Sequence, residues 1–381
     1  MNRHKGKVII VVSEDFYFLS HRLELARYLA AEGWQVLVAT QVNRVEDADK
    51  ISAAGLRLVP LSLERGRLLA VSDLGYLWRL YCLYRAERPD VVHHVAMKPV
   101  LFGSLAALVC GGMGVVNALA GLGYLFTSGR WLVRLARGVV LQLLRHLCAR
   151  RRTRVILQNA EDMTLFEKEL GVPASNLRLV RGAGVDLSSF PPVVRGSHET
   201  AVAVMVARLL RDKGVGELVA AARILRRDGV RLRVQLVGDI DAKNPNSLTE
   251  SEANALRVEG VVDWLGHRTD IEAVYAAADI AVLPSYREGL PKSLIEAAAS
   301  GLPIVTTDTS GCREIVKDGF NGLLVPVREV PPLVEALRQL AEDPALRARM
   351  GTASRSRAEQ EFRQELIFAA TAAVYLEVAH D

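Results

Sequence analysis

The sequence predicts an α/β protein built from two doubly wound, Rossmann-like domains that face each other across a cleft. Three observations indicate this fold class. The 381 residues are too many for one core and enough for two domains of ordinary size. Continuous apolar runs alternate with amphipathic helical segments along both halves. A stretch rich in proline, serine and glycine, "SSFPPVVRGSHET", interrupts this alternation at residues 188–200.

The first half opens with a βαβ pattern. An apolar run, "KVIIVVS", is followed by the helical period of "SHRLELARYLAAEG" and by a second run, "WQVLVAT". Such continuous runs are typical of parallel strands that helices cover on both faces. The pattern recurs in "RPDVVHHVA", "GVVNALAG" and "TRVILQN". We expect a first domain over residues 1–195, which a C-terminal helix at residues 360–381 rejoins.

The second half repeats the winding over residues 196–359. Its expected elements are "AVAVMVARLL", a helix from Gly216 to Asp228, "LRVQLVGD", "VVDWLG", "DIAVLPSY" and "PIVTTD". Ligands of doubly wound sheets bind outside the carboxyl ends of the strands. Two such domains therefore place the functional site in the cleft between them.

Composition excludes several classes of protein. Apolar residues make up 50% and charged residues 24%, which indicates a globular chain. The N-terminus enters a strand directly, so we expect no signal peptide. The stretch Pro99 to Phe126 lacks charges, but six glycines and an asparagine interrupt it. A helix followed by a buried strand explains it better than a membrane span.

The cysteines point to a cytoplasmic protein. Cys82, Cys110, Cys148 and Cys312 are widely scattered and have neither metal-binding nor redox spacing. We expect buried, reduced thiols.

A candidate binding element follows the run "DIAVLPSY". In "EGLPKSLIE", residues 288–296, a helix that starts at Pro291 would leave Leu290 in the capping position, where it cannot accept from first-turn amides. Those amides and the helix dipole favour a phosphate. Gly289 would allow close approach, and Glu288 and Glu296 could accept from sugar or ribose hydroxyls. The alternative is a solvated helix start that Glu288 caps.

Two cations lie just beyond the first strand of the second half. "ARLLRDKG" places Arg208 and Lys213 where they could bracket a diphosphate. Charge-assisted hydrogen bonds of this kind contribute about 1.5–3 kcal/mol each. The alternative is a surface arginine and lysine in a polar loop.

These segments together resemble the donor domain of glycosyltransferase family 4, whose members have the GT-B fold. The similarity covers "ARLLRDKG", the stretch from "LGHRTD" to "GLPIV", and "GCREIVKDGFNGLLVP". The Glu-x7-Glu element, Glu288 to Glu296, is that family's signature. The resemblance implies that Arg208 and Lys213 hold the nucleotide diphosphate and that Glu296 binds the ribose hydroxyls. It also implies that Glu288 and the amides of Gly289 and Leu290 hold the donor sugar, and that Gly266 to Arg268 line the base pocket.

The first half is similar to bacterial polysaccharide and lipid-linked oligosaccharide glycosyltransferases. The matching segments are "FLSHRLELARYL", "DVVHHVAMKPVLFGSLAA", "GLGYLFTSG" and "ILQNAEDMTLFEK". Such enzymes often carry His-x-His after the fourth strand, with the second histidine beside the reacting sugar. Here His93 and His94 are adjacent, and we favour His94 for that role. The alternative is one packed and one exposed histidine.

We predict no metal and no cofactor. Asp239-x-Asp241 imitates the metal motif of a different glycosyltransferase fold, but it follows a strand in the wrong architecture. A polar turn explains it better.

The charge of the first half points to an anionic partner. Between Val91 and Ala160 the sequence has no acidic residue, but it has Lys98 and eight arginines. Residues 129–154 have apolar residues at helical spacing with arginines throughout, as in helices that lie in a headgroup layer. The alternative is a core-packed helix with a solvated basic face. We expect membrane contact here, and we expect Lys98, His21 and Arg22 to contact the diphosphate of a lipid-linked acceptor.

The resulting hypothesis is a retaining glycosyltransferase. It moves a sugar from a nucleoside diphosphate donor, which we expect to be a UDP-sugar, to a polyprenyl-diphosphate-linked sugar at the cytoplasmic face of the membrane. Nucleic acid is not an expected partner. The alternatives are a nucleotide-sugar epimerase of the same fold and a non-catalytic, membrane-associated partner. An NAD-dependent oxidoreductase is a weaker alternative, since the glycine fingerprint is missing.

Overall fold

The computed structural model describes residues 5–63, 71–119, 131–191, 199–242 and 244–379. For residues 71–72 and 131–137 it describes the backbone alone.

The chain divides into two compact units, one formed by residues 1–183 with 365–381 and the other by residues 184–364. The chain enters the second unit earlier than the expected position 196. Val185 N donates to Phe362 O at 2.8 Å and Gln364 N donates to Val185 O at 3.0 Å. The residues after Ala183 therefore already pair with the end of the second unit, and this pairing sets the boundary.

The first unit is built on a sheet of seven strands. These strands are β1 (Gly6–Glu14), β2 (Trp34–Gln41), β3 (Arg57–Pro60), β4 (Val91–Val95), β5 (Gly114–Leu119), β6 (Thr153–Leu157) and β7 (Leu177–Leu179). All neighbours are parallel, in the order β3-β2-β1-β4-β5-β6-β7. Its helices are α1 (Asp15–His21), α2 (Leu23–Ala31), α3 (Val45–Ala53), α4 (Val71–Glu87), α5 (Ser104–Cys110), α6 (Trp131–Cys148) and α7 (Ala160–Thr164).

Strand β1 shows why the apolar runs are continuous. Val8 and Ile10 lie in a buried cluster with helix α2, and Ile9 and Val11 lie in another with helix α4. Successive strand residues point to opposite faces of the sheet. Because helices cover both faces, every position of the strand interior must be apolar.

The second unit is built on a sheet of six parallel strands. These are β8 (Ala201–Val206), β9 (Leu232–Val237), β10 (Asp263–Trp264), β11 (Ile280–Leu283), β12 (Ile304–Thr307) and β13 (Gly322–Val325). Their order is β10-β9-β8-β11-β12-β13. The helices are α8 (Val215–Arg227), α9 (Glu250–Glu259), α10 (Ile271–Ala276), α11 (Lys292–Ala299), α12 (Ser310–Ile315), α13 (Val330–Glu342) and α14 (Pro344–Glu361).

The strand order of the second unit locates its site. Starting from β8, the chain adds β9 and β10 on one side and β11, β12 and β13 on the other. Connections that leave a sheet in opposite directions open a crevice at the carboxyl ends of the two central strands. The crevice therefore lies where the chain leaves β8 and β11.

The last helix, α15 (Gln364–Ala379), packs on the first unit. The Tyr375 ring meets the Trp34 ring edge-on at 5.8 Å. A Cβ on Gly114 would lie 2.6 Å from Val378 O, so the start of β5 needs glycine to accommodate this helix. The segment expected to rejoin the first domain began at residue 360, but α14 continues to Glu361 in the second unit.

The uncharged stretch forms a π-helical turn (Pro99–Gly103), helix α5 and strand β5, as predicted for residues 99–119. Residues 120–126 lie outside the described residues. Across the helices that the structure describes, none has both the length and the apolar character needed to cross a bilayer. Two cysteines differ from expectation: Cys82 is exposed, because it lies on the outer face of α4, and Cys110 is only partly buried.

Candidate active site

The two predicted cations lie at the carboxyl end of β8. Arg208 follows the strand directly, and Lys213 ends a 3-10 turn, Arg211–Lys213. Gly214 comes next with φ of 78°, and a Cβ there would lie 2.1 Å from Pro284 O. Glycine at this position therefore lets the segment after β8 approach the segment after β11.

Lys213 meets the first glutamate of the Glu-x7-Glu element. Its Nζ lies 2.6 Å from Oε1 of Glu288, and the two side chains are 23% and 10% exposed. Arg208 instead pairs with Asp241, at 2.7 Å between its guanidinium and the carboxylate. The structure thus joins the two loops through one ion pair and gives Asp241 a partner within the protein.

Backbone contacts fix this arrangement. Tyr286 N and the Ser285 hydroxyl donate to Asp212 O, at 2.8 Å and 3.1 Å. The Tyr286 hydroxyl donates to Oε1 of Glu217, at 2.6 Å. These contacts hold the turn that carries Lys213. Neither Ser285 nor Tyr286 was among the predicted site residues, although their position directly after an apolar strand is a usable signal.

The helix of the Glu-x7-Glu element begins one residue later than predicted. Helix α11 starts at Lys292, and Pro291 is its N-cap, not its first residue. The reason is the backbone of Pro291: ψ of 112° is extended, and its carbonyl accepts from Leu294 N at 3.1 Å. No side chain caps this helix. Glu288 therefore does not act as the cap, which was the alternative interpretation.

Glu296 lies inside this helix. Its side chain is only 14% exposed, and its Oε1 is 3.1 Å from Nζ of Lys292. Burial raises the pKa of Glu296 above its ordinary value, although Lys292 acts in the opposite direction. A buried carboxylate needs hydrogen-bond donors, and the hydroxyls of a ligand can supply them beside Lys292.

A third loop, the segment after β12, lies against the loop that carries Glu288. Gly311, in the first turn of α12, has so little room that a Cβ would lie 2.5 Å from Gly289 O and 2.6 Å from Glu288 O. The segment after β12 thus packs against the backbone of the Glu-x7-Glu element. Sequence reasoning did not identify Gly311 as a site residue, although a glycine at a helix start is an observable signal.

Several polar atoms at this edge lack a partner. Asp212 Oδ1, Glu217 Oε2 and Thr309 Oγ1 are buried and have no hydrogen-bond partner among the described residues. Buried polar atoms are normally satisfied, so such a group of exceptions favours a site that binds a polar ligand or water.

Gly266 and Arg268 follow β10 at the side of the sheet. Gly266 has φ of 70°, and its carbonyl accepts from Gly238 N at 2.8 Å. Arg268 pairs with Asp270, with Nε 2.8 Å from Oδ1. In the strand order β10 is two positions from β8. The structure therefore places Gly266 and Arg268 to one side of Arg208 and Lys213, and not in contact with them.

The two histidines of the first unit lie in its core. His94 Nε2 is 2.8 Å from the Tyr84 hydroxyl, and Nδ1 is 2.8 Å from Asn117 Oδ1. His93 Nδ1 contacts the Tyr375 hydroxyl from the other face of the sheet. Both rings are buried, because helices cover both faces of β4. This corrects the expectation that His94 faces the donor, and also the alternative of one exposed histidine.

Burial also sets the charge of these histidines. It lowers the pKa of His94 to about 4, although the hydrogen bond with Asn117 acts in the opposite direction. Burial, and then the charge of Arg22, hold the pKa of His93 well below its ordinary value. Both rings are therefore neutral at physiological pH.

The three expected acceptor contacts follow β1 and β4 in the chain. His21 ends α1, the helix after β1, and stacks on Tyr17 with ring centroids 4.2 Å apart, and Arg22 is buried at the end of that helix. Lys98 follows β4, and its Nζ lies 2.8 Å from Oδ1 of the buried Asp73. Because β1 and β4 are parallel neighbours, Lys98 and the start of α1 lie at the same carboxyl edge, whereas His21 and Arg22 lie at the other end of α1. Their role stays a prediction.

The basic segment 129–154 contains helix α6. In its described part, Val140, Leu144 and Cys148 lie in a buried cluster with β6. In this part the helix packs on the core, as in the alternative interpretation, and Val140, Leu144 and Cys148 are buried, whereas Val139 is exposed. Membrane contact of the segment stays a prediction. Residues 129–130 and the side chains of 131–137 lie outside the described residues, as does the segment "GLGYLFTSG".

Asp239 and Asp241 do not form a metal cluster with other ligands. Among the described residues there is no group of three or more histidine, cysteine, aspartate or glutamate side chains placed to hold a metal ion. Independence from metals stays a prediction.

Comparison with known proteins places this site in context. Residues 192–357 match the family model "Glycosyl transferases group 1", and residues 7–159 match "Glycosyl transferase 4-like". N,N'-diacetylbacillosaminyl-diphospho-undecaprenol alpha-1,3-N-acetylgalactosaminyltransferase from Campylobacter jejuni is 28% identical over 350 residues, which cover 87% of this chain and 90% of the relative. UDP-Gal:alpha-D-GlcNAc-diphosphoundecaprenol alpha-1,3-galactosyltransferase from Escherichia coli is 27% identical over 72% of each chain.

Solved structures agree on the fold. The crystal structure of Anabaena HepE in complex with UDP-glucose superposes with a TM-score of 0.77 at 18% identity, covering 97% of this chain and 99% of that one. A structure of WaaG, a glycosyltransferase involved in lipopolysaccharide biosynthesis, gives a TM-score of 0.70 at 18% identity. The architecture is the predicted GT-B fold.

Proposed function

Because this chain belongs to the glycosyltransferases, with a second unit of the group 1 family and a first unit of the 4-like family, we propose that it elongates a lipid-linked glycan. In this proposal a sugar moves from a UDP-sugar to a sugar on a polyprenyl diphosphate, with retention at the anomeric carbon, during polysaccharide assembly. The names of the Campylobacter and Escherichia coli relatives, both of which act on undecaprenyl-diphosphate-linked sugars, support the acceptor class. The printed "UDP-Gal" of the second supports the donor class.

The observation that carries the proposal is the contact between Lys213 and Glu288. It brings the cation and the carboxylate of two separate sequence motifs to one point at the carboxyl edge of the sheet. A diphosphate can replace Glu288 as the partner of Lys213 and can replace Asp241 as the partner of Arg208. Each exchange keeps a charge-assisted hydrogen bond on the cation, and it releases the carboxylates of Glu288 and Asp241 as acceptors for other donors.

The proposed role of these cations is to stabilise the leaving group. When the bond between the anomeric carbon and the diphosphate breaks, negative charge grows on the departing oxygen. Lys213, Arg208 and the uncapped start of α11 are positive groups fixed before the reaction, and such preorganised groups lower the barrier. With no nucleophile identified, we favour departure and attack on the same face of the sugar.

The remaining donor contacts are inferred from the positions of the residues in the second unit. Glu288, once released from Lys213, and the amides of Gly289 and Leu290 hold the donor sugar. Glu296 accepts from the ribose hydroxyls one helical turn further on. Gly266 to Arg268 line the base pocket at the flank of the sheet.

The acceptor side is proposed to involve three residues of the first unit, His21, Arg22 and Lys98. Lys98 follows β4 at the carboxyl edge of the first sheet and would exchange Asp73 for the acceptor diphosphate. A polyprenyl-linked acceptor requires the enzyme to work at a membrane surface, and we propose the cytoplasmic face of the cytoplasmic membrane.

A transfer assay tests the proposal. Purified protein is incubated with radiolabelled UDP-glucose, UDP-galactose or their N-acetyl forms and with a bacterial lipid extract, and the organic phase is counted. We expect label in the organic phase for one donor, released by mild acid as the diphosphate linkage requires. Conversion of the donor to its epimer without acceptor, or the absence of turnover with every donor, would contradict the proposal.

A further inference from the structure

Helix α4 is apolar on two opposite sides. Tyr76, Leu80 and Tyr84 are buried against the first sheet. On the outer side Leu74 is 66% and Trp78 is 64% exposed. Large apolar side chains that are exposed together on a surface often mark an interaction site. The outer face of α4 is therefore a candidate interaction surface.

The charges on this face all have one sign. Arg79 and Arg85 are exposed there and form no ion pair among the described residues. The two described acidic side chains of the helix are engaged elsewhere: Asp73 is buried against Lys98, and Glu87 pairs with Lys7 and Arg57. The outer face therefore presents apolar and cationic groups together.

Helix α5 extends the face. Cys110 Sγ is 3.7 Å from Tyr81 O, which places the end of α5 beside α4. Val109, at this end, is 72% exposed. Leu108 lines a cleft of about 400 Å³ together with Arg150 and Arg151, which make no ion pair within the described structure. All of these α5 and cleft residues lie in the stretch Val91 to Ala160, which has no acidic residue.

We propose that the outer face of α4, with the end of α5, binds the surface of an anionic phospholipid bilayer. Leu74, Trp78 and Val109 enter the headgroup layer, where tryptophan is favoured. Arg79, Arg85 and the cleft arginines contact lipid phosphates. Charge complementarity selects this occupant, since several cations without an acidic side chain among the described residues of the surface match a continuous anionic layer.

The inference revises the segment that contacts the membrane. Within residues 138–148 of α6, Val140, Leu144 and Cys148 are buried and only Val139 is a large exposed apolar residue, whereas α4 exposes both Leu74 and Trp78. The inference rests on the proposed function only in that a lipid-linked acceptor would bring the enzyme to a membrane. Vesicle binding itself requires neither donor nor acceptor. Failure of the transfer reaction and failure of this inference are thus separate results.

Vesicle binding tests the inference directly. The full-length protein is centrifuged with vesicles of phosphatidylglycerol and phosphatidylcholine, or of phosphatidylcholine alone. We expect binding to the anionic vesicles only. Each basic residue at an anionic surface contributes roughly fivefold in partitioning, so R79A/R85A should lower the partition coefficient about thirtyfold. W78A should also lower it, and a polarity-sensitive dye on the exposed Cys82 should shift to the blue on binding.

Matched variants in the second unit serve as controls. Val258 is an exposed apolar residue on α9, and Arg349 is an exposed, unpaired arginine among the described residues of α14. V258A and R349A should bind vesicles as the wild type does. Equal binding by R79A/R85A and the wild type would overturn the inference. So would a dimer in size-exclusion chromatography that W78A dissociates, because a second copy would then cover the face.

Discussion

Nζ of Lys213 lies 2.6 Å from Oε1 of Glu288, so the cation proposed to hold the leaving diphosphate and the carboxylate proposed to hold the donor sugar form one ion pair. The two residues are 75 positions apart in the chain. Because the pair is only partly exposed, replacing one partner leaves the other with an uncompensated charge. A single substitution at Lys213 or Glu288 therefore measures the loss of the ion pair together with the loss of the replaced side chain.

Replacing Lys213 with alanine should remove most of the catalytic rate. Loss of one preorganised group at a developing negative charge lowers kcat by about 100- to 1,000-fold. The KM for the lipid acceptor should change little, since the acceptor does not contact this residue in the proposed arrangement. Initial rates over a range of both substrates measure the two effects.

Arg211 provides the matched control for Lys213. It lies on the same 3-10 turn but pairs with the exposed Glu252, with 2.8 Å between the charged groups. Arg211→Ala should keep near-normal kcat. The role of Lys213 would be refuted by a K213A enzyme with full turnover, or by an R211A enzyme that loses as much.

Replacing Glu296 with glutamine should stabilise the protein and weaken donor binding. Burial raises the pKa of Glu296 in the folded state, so its favourable contribution is present at low pH and lost as pH rises through that pKa. At neutral pH the buried charge is a cost that glutamine removes. The loss of a charged acceptor should weaken UDP binding by about ten- to a hundredfold.

Thermal unfolding with and without UDP separates these two effects. The E296Q variant should unfold at a higher temperature than the wild type without ligand and gain less from UDP. Glu335, an exposed glutamate, gives the control E335Q, which should leave both values unchanged. An unaltered UDP response in E296Q would exclude Glu296 from the donor site.

Replacing Gly311 with alanine should displace the Glu-x7-Glu element. The new Cβ would lie 2.5 Å from Gly289 O, and backbone cannot move as easily as a side chain. Overpacking of this kind costs about 1–3 kcal/mol. Because the displaced atoms belong to Glu288 and Gly289, we expect a higher KM for the donor as well as a lower Tm.

Gly216 gives the corresponding control. It lies in helix α8 with nothing within 4 Å of its Cβ position. Gly216→Ala should be neutral or stabilise by up to about 1 kcal/mol, since alanine favours a helix. If G311A and G216A had the same donor KM, the packing of α12 against the donor loop would have no functional role.

Chelation should leave transfer intact. In the proposed arrangement Lys213 and Arg208 balance the charge of the leaving diphosphate, and Asp241, the second aspartate of the Asp-x-Asp sequence, pairs with Arg208 at 2.7 Å. Initial rates in EDTA should therefore equal those in buffer. A loss of activity that magnesium or manganese restores would contradict this prediction.

The sequence was sufficient to predict ten of the thirteen described strands, but not the strands β3, β7 and β13, and it was less informative about side-chain surroundings. The continuous apolar runs predicted β8, β9, β11 and β12 because both faces of a wound sheet are covered. The start of α11 was wrong by one residue, since the sequence does not show whether Pro291 takes an extended or a helical ψ.

The histidines could not be assigned from the sequence for a different reason. His94 is enclosed by Tyr84 and Asn117, and His93 contacts Tyr375, which is 282 residues away in the chain. Whether a strand-end histidine is exposed depends on which helices cover its sheet, and those helices are distant in the sequence. By contrast, Lys213 and Glu288 follow neighbouring strands of one sheet. The apolar runs before them and the resemblance to glycosyltransferase family 4 predicted this position.

These buried histidines should make the first unit sensitive to acid. Burial lowers the pKa of His94 to about 4 in the folded state, whereas an unfolded histidine titrates near 6.5. The unfolded chain therefore binds protons first, and stability that is full above about pH 6.5 falls as pH decreases toward 4. For His94 alone the loss of unfolding free energy by pH 5 is about 2 kcal/mol.

Urea unfolding between pH 7 and 5 measures this loss, and His94→Gln should flatten the dependence of the unfolding free energy on pH. The exposed His146 gives the control H146Q, which should keep the wild-type slope. Constant stability of the wild type over this range would mean that the histidines are not held neutral by burial.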